Sequence, residues 1–208
     1  MSATTPSPLF TGKQVIIRPL TPADAPLYHQ WLQNPVFSAY KPYLKRLCPT
    51  SAQLLTHLAL QAQVKPRSEI EGLVIHQKTQ TPIGLIGLAA IDRFNQKAEF
   101  SAGFVRGYGT SAIWEAIHAG ITLSFARFQL YKLIAYVAPS NHQALNMMQR
   151  YGFINEGYFK EEILIDEEQR MDLYRFALMR SAWEEHPLHQ RLKRIAPITL
   201  SSITNSIQ

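Results

Sequence analysis

The sequence predicts a mixed α/β domain with a mostly antiparallel sheet, and three observations predict it. Apolar residues make up 46% of the 208-residue chain and charged residues 17%, enough for one substantial core. β-rich runs and helical periodicities alternate, with three strand-like runs in succession at hairpin spacing between residues 71 and 105. No Pro/Gly/Ser linker or internal repeat interrupts residues 14–183, which are expected as one domain. A small, polar, proline-containing segment over 1–13 reads as a flexible N-terminus, and 184–208 as a C-terminal helix and tail.

Residues 14–20, with Val15, Ile16 and Ile17 in succession, make the first strand. Thr21, Pro22 and Asp24 then read as a helix start: a capping hydroxyl, a proline at the first helical position and an acid in the first turn. Leu27 and Trp31 supply its apolar stripe, and Asn34-Pro35 ends it. A second helix covers 51–64, where Leu54, Leu58 and Ala62 recur every four residues. Strands follow around Leu73-Val74-Ile75, over 83–91 and over 99–105, separated by the polar turns 77–81 and 92–97. A glycine turn leads into an amphipathic helix in which Trp114, Ile117, Ile121, Phe125 and Phe128 recur at steps of three and four. Residues 132–137 form an apolar strand and 143–151 a short helix ended by Gly152. The strands 158–165 and 170–179 close the domain across the acidic turn 166–168.

Composition excludes several classes of function. The net charge of +6 suits a polyanionic ligand, nucleic acid or an anionic surface without choosing among them. Cys48 is the single cysteine, which rules out an intrachain disulfide, a CxxC pair or a Cys-rich zinc site. The start MSATTPSPLF lacks the basic and apolar regions of a signal peptide, and the most apolar stretch, 82–91, is about half of what a membrane-spanning helix needs. A cytoplasmic protein with no membrane association is expected. His29, His57, His76, His118, His142, His186 and His189 form no HxH or HExxH pattern, so no metal is expected. No G-x-S-x-G elbow is present. The basic run 189–194 reads as a solvated helix face, and with no nucleic-acid motif beside it no nucleic-acid partner is expected. Trp31, Phe37, Tyr40 and Tyr43 fit either an acceptor pocket or core packing.

The segment Phe104-Val105-Arg106-Gly107-Tyr108-Gly109-Thr110-Ser111-Ala112 joins a strand to the long helix. Gly107 and Gly109 permit backbone angles and close approaches that a Cβ obstructs. The helix start that follows offers N–H groups and a positive dipole end to a phosphate, with Arg106, Thr110 and Ser111 as further polar contacts. The same residues also fit a plain strand-to-helix turn capped by Thr110.

Other segments stand in order around this turn: Ile17-Arg18-Pro19-Leu20-Thr21-Pro22-Ala23-Asp24-Ala25 with Trp31, Thr81-Pro82-Ile83-Gly84-Leu85-Ile86-Gly87, Ala98-Glu99, Val137-Ala138-Pro139-Ser140-Asn141, Gly152-Phe153-Ile154-Asn155-Glu156-Gly157 and Asp172-Leu173-Tyr174. Together they resemble the GCN5-related N-acetyltransferase (GNAT) superfamily, closest to its branch of ribosomal-protein-alanine and small-molecule acetyltransferases. The resemblance implies a twisted, mostly antiparallel sheet with helices on both faces and a splayed strand pair that admits pantetheine. It implies acetyl-CoA as cosubstrate and direct attack by a primary amine, whether a protein N-terminus, an amino acid, a polyamine or another small amine. Phe104 to Ser111 would hold the coenzyme, a backbone N–H at Phe104 or Val105 would polarise the acyl carbonyl, and Asn141 would touch the coenzyme. Glu99 would act as general base, against the plainer reading of an ion pair with a cation such as Lys97. A homodimer is left open.

The chain departs from the family pattern twice. Phe104 stands where the family usually has Gln or Arg, in a loop shorter than usual, so either fewer backbone contacts to the pyrophosphate are expected or Arg106 compensates as a charge donor. Met148 and Ala144 occupy positions where members often carry a Tyr or Ser general acid, leaving Ser140, Tyr151 or water for that role. These departures motivate an alternative, a non-catalytic acyl-CoA-binding or regulatory module.

Overall fold

The computed structural model describes residues 7–38, 41–107, 109–165, 168–195 and 197–198. In chain order it runs β1 (Phe10–Thr11), β2 (Val15–Pro19), α1 (Ala25–Leu32), α2 (Pro35–Ser38), α3 (Pro42–Leu47), α4 (Ser51–Gln63), β3 (Ile70–His76), β4 (Thr81–Asp92) and β5 (Lys97–Phe104). It continues α5 (Ser111–Arg127), β6 (Lys132–Val137), α6 (His142–Arg150), β7 (Ile154–Leu164), β8 (Arg170–Met179), α7 (Arg180–Glu185) and α8 (Pro187–Ile195). The strands form one sheet in the order β1-β2-β3-β4-β5-β6-β8-β7. Every neighbouring pair is antiparallel except β5 and β6.

Register sorts the side chains between two faces, because directly opposed residues share a face and successive ones alternate. Leu73 and Leu85 lie on the face covered by α1 and α4, in a cluster with Tyr28, Leu32, Leu54 and Leu58. Val74 and Ile86 lie on the other, under α5, with Phe100, Phe104, Ile117 and Ile121. The sheet therefore carries helices on both faces.

Three differences from the sequence reading have physical causes. Leu9 and Phe10 are buried, and Phe10 pairs with Ile17, so the sheet begins inside the segment 1–13 read as a flexible terminus. Burial of these two apolar side chains offsets the cost of ordering the strand. The helix read as amphipathic, α5, is buried on nearly every side, because α8 packs against it as well as the sheet. The basic run 189–194 is a solvated face only in part: Arg191, Lys193 and Arg194 are exposed, whereas His189 is buried against Trp183 with Nδ1 3.1 Å from His118 Nε2. Burial, and then the neighbouring His189, push His118 down to about 4, so it stays neutral at pH 7.

The buried carboxylate of Glu115 ties α5 to the start of β2. It accepts the backbone N–H groups of Lys13, Gln14 and Val15 at 3.0, 2.7 and 2.8 Å. Glu115→Ala leaves these donors facing an apolar wall and is expected to destabilise the fold by about 3 kcal/mol. A urea titration with a lowered midpoint and an unchanged slope measures this; an unchanged midpoint would refute it.

Candidate active site

The site follows from a fault in the sheet. β5 and β6 pair only over Lys97–Glu99 and Lys132–Ile134. Beyond that fork β5 stays with β4, while β6 stays with β8 out to Val137 opposite Tyr174. The separation opens a cavity of about 1170 Å³, lined by Phe100 to Phe104 on one side and Ala135 to Ala138 on the other. Ile113, Ile117, Met147 and Met148 of α5 and α6 contribute apolar wall to it.

Glu99 stands at the fork. It lies opposite Ala89, which shares a sheet face with Leu85, so its side chain projects on the α1/α4 face while α5 lies behind the sheet. Burial raises the Glu99 carboxyl above its usual range, Lys41 opposes that rise, and Glu69 adds to it. Lys97 pairs with Asp92 at 4.0 Å and not with Glu99. Lys41 is buried and ion-pairs with Glu69 and, at 3.3 Å, with Glu71. Lys41, Tyr43, Arg46 and Leu47 bring the length of α3 to the cavity rim beside Glu99.

On the opposite face the turn after β5 leads to α5. Gly107 and Gly109 have φ of +81° and +79°, the left-handed region. Thr110 is at the N-cap position, but its hydroxyl donates to Gly107 O at 2.6 Å, and among the described residues no side chain caps the helix start. The expected capping role of Thr110 is thus replaced by a bond that closes the turn, leaving the first-turn N–H groups to whatever approaches the helix. A Cβ on Gly109 would meet nothing within 4 Å, and Gly109 lines the cavity.

The sequence-derived residues divide as follows. Glu99, Phe104, Gly109 and Asn141 line the cavity; Val105, Arg106, Gly107, Thr110 and Ser111 belong to the turn beside it, and Tyr108 lies outside the described residues. The Val105 N–H is bonded to Ile83 O at 2.9 Å, which withdraws it from any role toward an acyl carbonyl. Asn141 caps α6, its Oδ1 accepting the Ala144 N–H at 3.0 Å. Ser140 is exposed and away from the cavity lining. Tyr151 lines the cavity, but its buried hydroxyl faces Trp114 O at 3.3 Å and burial pushes its pKa far up. Of the four aromatics before the second helix, Trp31 and Phe37 pack into the core, Tyr43 reaches the cavity, and Tyr40 lies outside the described residues.

Sequence reasoning missed Lys41, Arg46 and Arg150 as lining residues. Arg150 sits 5.8 Å over the Trp114 ring, on the α5 side. The available signal for Lys41 is the Glu69-x-Glu71 spacing, which puts two carboxylates on one side of extended chain at the start of β3. Among the described residues no group of three His, Cys, Asp or Glu side chains could hold a metal ion, and no helix is long and apolar enough to cross a membrane.

A family model described as an acetyltransferase (GNAT) domain matches residues 14–154. A spermidine N(1)-acetyltransferase of Vibrio cholerae is 28% identical over 94 residues, 45% of this chain and 54% of that protein. A provisionally named ribosomal N-acetyltransferase of Bacillus subtilis is 26% identical over 102 residues, 49% of this chain and 55% of that protein. The chain thus spans about half the length of these curated relatives. Among solved structures, spermidine N-acetyltransferase from Vibrio cholerae in complex with CoA and spermine aligns with a TM-score of 0.72 at 22% identity, covering 83% of this chain and 99% of that one.

Proposed function

The chain belongs to the acetyltransferase (GNAT) family, and on that premise we propose that it moves an acetyl group from acetyl-CoA directly to a primary amine, with Glu99 as general base. The observation that carries this reading is the fork itself. A half-buried carboxylate faces one side of a cleft of mixed apolar and polar lining, and an uncapped helix start lies beside the other. The cleft fits the coenzyme: Gly109 leaves open space, the first turn of α5 offers N–H donors, and Arg150 adds a cation. We assign Phe104, Val105, Arg106, Gly107, Tyr108, Gly109, Thr110, Ser111 and Asn141 to its binding, with Val105 contributing contact and not its N–H.

Acetyl-CoA, when bound, supplies a thioester whose acyl carbon accepts the amine nitrogen as the C–S bond breaks and the coenzyme leaves as its thiolate. The protein's task is to deliver an uncharged amine and hold it in line. Glu99 takes the ammonium proton, directly or through water, and its raised pKa brings its basicity nearer that of the proton donor. Met148 is buried and apolar and carries no acidic hydrogen, so protonation of the leaving thiolate falls to water in the open cleft. The reaction is tested by thiol release from acetyl-CoA, with product mass, across an amine panel. The alternative, a non-catalytic acyl-CoA-binding or regulatory module, draws on Met148 and Ala144 at the proton-donor positions. Coenzyme binding with no thiol released from any amine would establish it in place of the enzyme.

Direct transfer needs no enzyme thioester. Cys48 is buried in the α1/α4 cluster, away from the cavity lining, and burial raises its thiol pKa. Cys48→Ala is expected to keep parental turnover, and loss of turnover in a folded variant with an acyl adduct on parental Cys48 would overturn direct transfer. We further propose a cytoplasmic protein, and a homodimer that would cover the exposed Ile154 and Tyr158 of the edge strand β7.

A further inference from the structure

Lys41 is an unusual lining residue, because its ammonium is both buried and already engaged. Glu69 and Glu71 hold it from the sheet side. Those carboxylates are themselves held from behind: Gln61 Nε2 donates to Glu69 at 2.7 Å, and the Tyr28 hydroxyl lies 3.4 Å from Glu71. Lys41 and Glu99 line the cavity whereas Glu69 and Glu71 do not, so Lys41 stands between this carboxylate pair and the acceptor space. Arg46, exposed on α3, adds a second cation at the same rim.

We propose that Lys41 is a resident ammonium that fills the cation site of the acceptor pocket, so that the chain selects amines whose reacting nitrogen is their only positive charge and discriminates against diamines and polyamines. The proposal rests on the acetyl-transfer reading and names its substrate class. Lys41 holds Glu69 and Glu71, and Arg46 lines the same rim, so Glu99 is the cavity-lining carboxylate on the α1/α4 face left to meet the reacting ammonium. Glu162 also lines the cavity but is exposed on β7, where water screens it. A second ammonium on the acceptor would meet Lys41 with its partner carboxylates taken. This repulsive element opposes an acceptor that carries a second ammonium more than one that carries a single charge, and so separates the two. The pocket thereby differs in expected acceptor from the Vibrio cholerae protein solved with spermine.

The test compares n-butylamine with 1,4-diaminobutane, which share a carbon chain and differ in the second ammonium. Affinities are read by NMR titration of the CoA-loaded protein, and kcat/KM by thiol release from acetyl-CoA. The parent is expected to favour butylamine by about tenfold or more. Lys41→Ala should shift the ratio at least about tenfold toward the diamine, whose far ammonium takes the vacated place between Glu69 and Glu71, while Lys41→Arg keeps the parental ratio. A parent that prefers the diamine, or a folded Lys41→Ala with the parental ratio, overturns the proposal. Should Lys41→Ala fail to fold with its carboxylates bared, the combined Lys41→Met, Glu69→Gln, Glu71→Gln variant removes the charges together. That variant should lose the parental preference, and retaining it overturns the proposal equally. Binding in the expected ratio with no thiol released overturns the acetyl-transfer reading alone.

Discussion

Glu99→Gln is expected to lower kcat on the order of 10²-fold or more and to abolish the acidic limb of the pH–rate profile. The substitution keeps size and hydrogen-bonding capacity but removes the carboxylate that faces the cavity at the β5–β6 fork. The direction of the pH dependence follows from the shift. Burial, less the opposing effect of Lys41, raises the Glu99 pKa, so the base form is lost as pH falls through a value above the ordinary carboxylate range near 4.3. Parental kcat/KM should therefore decline on the acid side earlier than an unperturbed Glu would dictate. Stability runs the other way. A carboxyl with a raised folded-state pKa stabilises the fold below its unfolded value, and that contribution is lost as pH rises through the folded value. Glu99→Gln should consequently unfold no earlier than the parent at neutral pH, and a structural ion-pair role predicts the reverse. Near-parental kcat with an unchanged profile would return Glu99 to a structural role.

Much of this fold was legible because its periodicities are local. The β-rich runs of β3, β4 and β5 at hairpin spacing and the three-and-four spacing of α5 report the type of each element, and the ordered GNAT-like segments imply how they connect. What the sequence hid is set by tertiary contact. The burial of α5 on nearly all sides depends on α8, far along the chain, and β1 forms because β2 offers Phe10 a partner. The candidate site divides in the same way. Glu99 and the turn at Gly107 and Gly109 lie in one continuous stretch with the strand-to-helix signature, so local reading finds them. Lys41 acquires its position from carboxylates at β3 and a cavity opened between β5 and β6, and no spacing within 41–47 announces that. The removal of Val105 from the pair Phe104 or Val105 has a similar cause: its N–H is claimed by Ile83 across the sheet.

The double variant Gly107→Val, Gly109→Val is expected to weaken CoA binding on the order of 10²-fold while leaving the fold intact. Neither glycine is required by crowding. A Cβ at Gly107 would come no closer than 3.5 Å to Thr110 Oγ1, and one at Gly109 would enter open space. Both are required by conformation, since φ of +81° and +79° costs an L-residue about 1–2 kcal/mol each, and more for a β-branched one. With valine the exposed turn relaxes toward negative φ, so the core is spared and the strain appears only when the coenzyme draws the loop back. Two such penalties sum to about 3 kcal/mol, and at 1.4 kcal/mol per decade the apparent affinity falls by about two decades. The valine side chain introduced by Gly109→Val would also occupy the space through which a phosphate reaches the first-turn N–H groups of α5. Calorimetry with CoA on parent and variant, paired with urea unfolding, separates binding from stability. Unchanged affinity in the folded variant would remove this turn from the coenzyme site and leave the Arg150 side of the cleft to hold the coenzyme.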